Sequence, residues 1–302
     1  MNKILIISGP TATGKTDLAV KIASTVGGEI ISADSRQVYK GLDIGVGKDH
    51  PLGTPIHLID VVDPSSRFSV ATYQALALQK IKELHSQNIL PIVVGCSGLY
   101  IDSVISQKYS NFGTDKNSLL RFFLEKLPTS VLKFLLSYLD KTTYQKLNNS
   151  DINNPRRLVR KIEIKLSRNK TINFPPAEEK FDIFHVTLTA PNAFLFPRID
   201  TRVHKRIEIG HLQELDTLLA KYKWTDPGLE VSCYHVFQDY YRHKINLQKA
   251  IELWKFAEHA DARHQKTWFK QYHSAHVVEI TKAKNIRSIT KIIGQWYNEI
   301  NH

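Results

Sequence analysis

Gly9-Pro10-Thr11-Ala12-Thr13-Gly14-Lys15-Thr16 stands between an apolar run at residues 3–8 and a stretch of helical spacing at 16–26. It satisfies G-x-x-x-x-G-K-[ST], and its position between a strand and a helix makes the match informative. Glycines let the backbone wrap closely around a phosphate, and successive N–H groups and the helix N-terminus point at its oxygens. Lys15 supplies a point charge, and the Thr16 hydroxyl is the expected protein ligand for Mg²⁺. The loop, residues 9–16, is therefore expected to bind a compound carrying at least a diphosphate.

Outward from the loop, the first hundred residues alternate between apolar runs at 29–32, 57–62 and 90–94 and a helical pattern at 69–87. Such alternation predicts an α/β fold, a P-loop NTPase-like parallel sheet with helices on both faces. Between 111 and 166 the strand pattern gives way to Leu119, Leu120, Phe123, Leu124 and Leu127 at helical spacing. We therefore expect a mostly helical insertion domain at 111–179, with the catalytic core formed by 1–110 and 180–302. Pro175-Pro176 precedes a strand expected at 181–188, and Pro191 and Pro197 precede a long helix expected at 198–222. A helix at 246–272, a strand at 276–280 and a terminal helix from 286 complete the reading.

The chain has 302 residues, enough for a full core, and no apolar run approaches the roughly 18 residues that span a bilayer. The opening residues lead straight into the first strand without a signal-peptide pattern, so a cytoplasmic, non-membrane protein is expected. Cys96 and Cys233 fit neither a disulfide framework nor a four-ligand zinc site. The excess of 41 Lys and Arg over 29 Asp and Glu gives a net charge of +12, which favours a polyanionic partner. The distribution strengthens this: Arg156, Arg157, Arg160, Lys161 and Lys165 cluster, Arg198, Arg202 and Arg206 recur at every fourth residue, and Arg263, Lys266 and Lys270 follow near the end.

Which phosphate compound binds is a separate question. P-loop kinases and ATPases hold Mg²⁺ with an Asp that closes an apolar strand, whereas the strand at 90–94 runs into Gly95-Cys96-Ser97-Gly98. Asp60 is open to two readings, a metal-holding carboxylate or a turn residue at a strand end. His57, on its apolar run, reads as a packed, hydrogen-bonded histidine. Ile30-Ile31-Ser32-Ala33-Asp34 places a carboxylate at the C-terminal end of a parallel strand, where ligands bind in open α/β sheets.

With the GPTATGKT loop, Ile30-Ile31-Ser32-Ala33-Asp34-Ser35-Arg36-Gln37-Val38-Tyr39 resembles the tRNA dimethylallyltransferase family. The similarity continues in order through Gly41-Leu42-Asp43-Ile44-Gly45 and Lys48, His57-Leu58-Ile59-Asp60, Gly98-Leu99-Tyr100 and Asn154-Pro155-Arg156-Arg157 with Arg160 and Glu163. Arg198-Ile199, Arg202-Val203 and Gln265 with Thr267-Trp268-Phe269 extend it over most of the chain. The resemblance implies transfer of a dimethylallyl group from dimethylallyl diphosphate to the exocyclic amine of the adenosine 3′ of the anticodon. The loop would then hold the allylic diphosphate rather than ATP.

The resemblance makes Asp34 the general base and Lys15, Thr16 and Arg202 the groups that stabilise the departing diphosphate. The other reading of Arg202 is a solvated basic face shared with Arg198 and Arg206. It further implies tRNA contacts, and so the anticodon stem-loop as partner, at Asp34, Ser35, Arg36, Gln37, Ser97, Arg121, Arg156, Arg157 and Arg160. Arg263, His264, Gln265, Thr267, Trp268 and Lys270 match a C-terminal tRNA-binding segment, with core packing the competing reading for Trp268. The family is described as monomeric, and the lack of a zinc-finger extension resembles its bacterial members.

Three motifs depart from the family: G-G-T-G-L-Y is Gly95-Cys96-Ser97-Gly98-Leu99-Tyr100, G-T-A-K-P is Gly45-Val46-Gly47-Lys48-Asp49, and G-Y-[RK] is Cys233-Tyr234-His235. An arginine usual before the long helix is absent, with Asn192 near its place. The diphosphate machinery is intact and the tRNA-facing side has drifted. Competing functions are an adenylate dimethylallyltransferase acting on free nucleotide, a P-loop kinase using ATP, and a non-catalytic tRNA-binding paralogue.

Overall fold

Strand β1 (Lys3–Ser8) is KILIIS, with every residue buried, as expected of a parallel strand covered on both faces. The computed structural model describes residues 2–48, 53–106, 118–166 and 181–299. Contacts divide the chain into two units, one of residues 1–107 with 179–302 and one of residues 108–178.

In the first unit β2 (Glu29–Ser32), β3 (Ile56–His57), β4 (Pro91–Gly95), β5 (Asp182–Thr189) and β6 (His276–Glu279) join β1 in one sheet of order β3-β2-β4-β1-β5-β6. Every pairing is parallel, with Leu5 opposite Ile92 and Phe184, Ile31 opposite Val93, and Thr187 opposite Val277. Helices α1 (Lys15–Val26), α2 (Val70–Ser86) and α3 (Gly98–Ser106) follow β1, β3 and β4. Alternation along β1 feeds two cores. Leu5 and Ile7 pack with Leu18 and Ile22 of α1, and Ile4 and Ile6 with Tyr73 and Ile81 of α2.

The second unit carries α4 (Ser118–Glu125), α5 (Thr129–Leu139), α6 (Lys141–Gln145), α7 (Asn149–Ile152) and α8 (Pro155–Leu166). They surround their own core of Leu124, Leu132, Leu136, Leu158, Val159 and Ile162.

Back in the first unit, the helix expected at 198–222 is two helices, α9 (Asn192–Glu208) and α10 (His211–Leu219). Gly210, at φ 111°, breaks the run, and Pro197 lies inside α9 rather than ahead of it. There it forfeits one backbone hydrogen bond, a cost offset by burial of Leu195, Ile199 and Val203. The strand expected at 57–62 stops at His57, because Leu58 (φ 62°) and Asp60 (φ 55°) turn the backbone. Val62 makes only an isolated bridge to Tyr39.

The fold is completed by α11 (Ser232–His235), α12 (Gln238–Tyr241), α13 (Leu247–Phe269) and α14 (Ala283–Asn298). Ile289 and Ile293 of α14 close the core beside α1, while Trp254 and Phe269 of α13 enter the core beside α2. Among the described residues no helix is long and apolar enough to cross a membrane.

Candidate active site

The loop between β1 and α1 is built for close approach. Gly9 has φ 144°, and a Cβ there would lie 2.4 Å from the Leu188 carbonyl oxygen, so no other residue fits. Within the loop the Thr13 hydroxyl and the Lys15 ammonium each donate to the Pro10 carbonyl, both at 2.8 Å. Burial lowers the Lys15 pKa, against the opposing influence of Cys96 and Asp34. An anion at the loop would favour the charged form.

The sheet brings two further strand ends to this loop. Asp34 follows β2; its Oδ1 accepts from the Arg36 N–H at 2.9 Å and its Oδ2 from the Cys96 thiol at 3.2 Å. Cys96 follows β4, and burial, then the Asp34 charge, push its thiol up to about 12. A protonated thiol is a poor nucleophile. Ser97 Oγ accepts from the Ser35 N–H at 2.8 Å, and Gln37 binds Ser32 and the Gly47 carbonyl, each at 2.9 Å.

Helix α9 covers the loop with its row of arginines. Arg198 Nε donates to the Ala12 carbonyl at 3.0 Å, Arg202 Nη2 to Thr11 Oγ1 at 2.5 Å, and Arg206 Nη1 to the Gly45 carbonyl at 2.8 Å. The solvated-face reading is therefore wrong for Arg206, which is 8% exposed. Arg202 has a buried Nε with no hydrogen-bond partner. Burial lowers it to about 10, which leaves it cationic at neutral pH.

From the opposite side α13 contributes Gln265, whose Oε1 accepts from the Thr11 N–H at 2.8 Å, and Glu258, which receives Arg36 Nη1 at 2.8 Å and Arg202 Nη2 at 3.3 Å. Arg36 also pairs with Asp261. Its guanidinium, expected on tRNA, is held by two carboxylates. The resulting cleft, about 610 Å³, is lined by the cations Lys15, Arg36, Arg198, Arg202, Lys205 and Arg206 and by the carboxylates Asp17, Asp34 and Glu258. The excess of cations suits a polyanion.

Of the residues singled out from sequence, Thr11, Ala12, Gly14, Lys15, Thr16, Asp34, Arg36, Gln37, Arg202 and Gln265 meet in this cleft. Arg263, His264, Thr267 and Lys270 lie exposed along the end of α13. Trp268 is partly packed, as its core reading expects. It is 38% exposed, yet its indole covers Gly98 so closely that a Cβ there would meet the ring at 2.2 Å. Asp60 turns out to be the turn residue, paired with Lys48 at 2.5 Å and absent from the cleft lining. His57 is hydrogen-bonded to Glu29, also at 2.5 Å.

Arg121, Arg156, Arg157 and Arg160 belong to the helical unit. There Arg121 and Arg160 flank the buried Glu163 at 3.4 and 3.2 Å, Arg157 pairs with Asp151, and Arg156 and Arg157 are exposed. Sequence reasoning missed Glu258 and gave Arg206 no weight. The available signal for Glu258 was its spacing, one turn from Trp254 and one from Ala262 on the apolar face of α13.

A family model described as IPP transferase matches residues 37–272, and one described as isopentenyl transferase matches residues 2–54. A tRNA dimethylallyltransferase of Roseiflexus sp. is 33% identical, covering 98% of this chain and 99% of its own length; one of Carboxydothermus hydrogenoformans is 36% identical over 89% of each. Among solved structures, the tRNA isopentenylpyrophosphate transferase of Bacillus halodurans superposes with a TM-score of 0.73 at 31% identity, covering 98% of this chain and 96% of that one. A eukaryotic dimethylallyltransferase acting on tRNA gives a TM-score of 0.76 at 25% identity, covering 94% of this chain and 75% of that one. The phosphate loop, the carboxylate beside it and these alignments along nearly the whole chain agree, and this protein belongs to the IPP transferase family.

Proposed function

We propose that this protein transfers a dimethylallyl group from dimethylallyl diphosphate to the exocyclic amine of the adenosine 3′-adjacent to the anticodon in tRNA, releasing diphosphate. The observation that carries the reading is the meeting of Asp34, Lys15, Thr16 and Arg202 in one cationic cleft at the C-terminal edge of the sheet. Named relatives that act on tRNA support the polynucleotide acceptor.

In the step, the adenine amine attacks C1 of the allyl group as the C1–O bond to diphosphate breaks. Asp34 takes the amine proton, and the leaving oxygen keeps the electron pair. An adenine amine is a weak nucleophile because its lone pair is delocalised, so deprotonation as the bond forms lowers the barrier. Asp34 is fixed for this by the Arg36 N–H and the Cys96 thiol, which each occupy one carboxylate oxygen and leave a second lone pair on each. Lys15, the loop amides and Arg202 face the charge that builds on the diphosphate. The loop suits a magnesium diphosphate: the Thr16 hydroxyl offers the hard oxygen that would hold the ion beside the diphosphate. When bound, the ion would neutralise developing phosphate charge.

Dimethylallyl diphosphate labelled in the allyl group, incubated separately with unmodified tRNA, with AMP and with neither, tests the reading. Label in tRNA, mapped to the adenosine following the anticodon, is expected. Label in AMP alone would favour the free-nucleotide enzyme, and no transfer by folded protein would remove the activity.

A further inference from the structure

The cleft contains a carboxylate that the reaction above does not use. Glu258 lies on the buried face of α13 with 2% of its side chain exposed, and a bare buried carboxylate is costly unless paired. Three groups from three parts of the chain meet it. Oε1 accepts from Arg36 Nη1 at 2.8 Å and from Trp254 Nε1 at 3.4 Å, and Oε2 from Arg202 Nη2 at 3.3 Å.

Arg202 Nη2 is shared between Glu258 and Thr11 Oγ1, which ties one corner of the guanidinium to the phosphate loop. Its Nε is buried and has no partner. The guanidinium is thus anchored at Nη2, and Nε and Nη1 remain as donors for an anion. Arg36 and Arg206 also line the cleft, and their charges disfavour a third guanidinium there. Glu258 is the buried anion that offsets them.

We propose that Glu258 is the positioning residue for Arg202, holding its guanidinium against the phosphate loop so that its remaining donors meet the leaving diphosphate. The inference rests on the reading that Arg202 contacts that diphosphate. It predicts the opposite of simple electrostatics. Removing a carboxylate beside an anion site makes the site more positive, which by charge alone would strengthen diphosphate binding and speed departure. If Glu258 aims Arg202, its removal slows departure.

The test is a double-mutant cycle of Glu258→Gln and Arg202→Lys, read with labelled dimethylallyl diphosphate and tRNA as kcat, KM for each substrate and inhibition by inorganic diphosphate. Glu258→Gln is expected to lower kcat about 10- to 100-fold with tRNA KM within about twofold, and Arg202→Lys about 100-fold. In the Arg202→Lys background, Glu258→Gln should cost less than about threefold more, because coupled residues are non-additive. Glu258→Asp, which keeps the charge but shortens the reach, should fall between wild type and Gln, and it carries the same cycle if the Gln protein does not fold. Equal losses in both backgrounds, or a faster Gln variant with tighter diphosphate inhibition, would overturn the positioning role while leaving Arg202 in place. An unchanged kcat in Arg202→Lys alone would instead remove the Arg202 reading, and the positioning role with it.

Discussion

Each unit of the molecule contains a buried glutamate between two arginines, and the two arrangements do different things. In the helical unit Glu163 meets Arg160, three residues away on the same helix, and Arg121 from α4, so the cluster fastens α4 to α8. In the unit with the sheet Glu258 meets Arg36 and Arg202, drawn from the end of β2 and from α9, and the cluster borders the phosphate loop. The first arrangement is local and holds helices together. The second gathers distant segments at the cleft. Both leave an arginine Nε without a hydrogen-bond partner, Arg121 in the first and Arg202 in the second, and of these two only Arg202 lines the cleft. An Arg–Glu–Arg cluster is therefore informative about function only through what its unused donors face.

The largest effect that would separate the two regions is chemical. Lys15→Ala removes the ammonium from the loop and should reduce prenyl transfer about 10³-fold without changing thermal stability by more than a few degrees. Retained activity would detach the loop from the chemistry. Glu163→Ala removes the buried carboxylate that Arg121 and Arg160 share, while Arg121 keeps Glu125 at 3.1 Å, and should cost about 2 kcal/mol by urea denaturation. Dimethylallyl diphosphate affinity, measured by inhibition with inorganic diphosphate, should stay within twofold; a large change would make Glu163 part of the cleft's machinery.

A third difference is in pH response. Residues 108–178 contain no histidine, whereas burial pushes His211 of α10 and His185 of β5 down to about 4. An unfolded imidazole titrates near 6.5, so between these values the unfolded chain binds more protons. The stability that depends on neutral His211 is complete above about 6.5 and is lost as pH falls toward 4. Between pH 7 and 5 it should decrease by about 2 kcal/mol, and His211→Leu should remove that share of the slope. An unchanged slope would mean that His211 binds protons alike in the folded and unfolded chains. The smallest effect is electrostatic. Arg156→Ala with Arg157→Ala should weaken tRNA binding about tenfold and reduce the salt slope by about 1.5, with diphosphate inhibition unaltered. An unchanged slope would place the tRNA footprint elsewhere.

The parts of this molecule that were legible in the sequence are those whose chemistry is contiguous. The first strand, the phosphate loop and Asp34 each lie on one short segment, and pattern alone placed them. Boundaries failed where a single residue overrode the pattern. Gly210 split the expected helix, Pro197 was tolerated inside it, and the left-handed Leu58 and Asp60 ended the third strand early. Partner choice was illegible for a different reason. Arg36 reads as a cation available to tRNA, but its partner Glu258 is 222 residues away and brought near only by the tertiary fold; Arg121 pairs one turn on with Glu125 and also with Glu163, 42 residues away. Arg206 could be placed by its spacing with Arg198 and Arg202, yet its burial against the Gly45 carbonyl depends on the packing of the segment at 43–48.

The most direct measurement is a crystal structure with an unreactive thiolodiphosphate analogue of dimethylallyl diphosphate and an anticodon stem-loop. The diphosphate is expected within the 9–16 loop, contacted by Lys15 and Arg202, with an Asp34 oxygen in hydrogen-bond reach of the adenine amine. A diphosphate seated away from that loop, or an adenine amine directed away from Asp34, would contradict the proposed reaction.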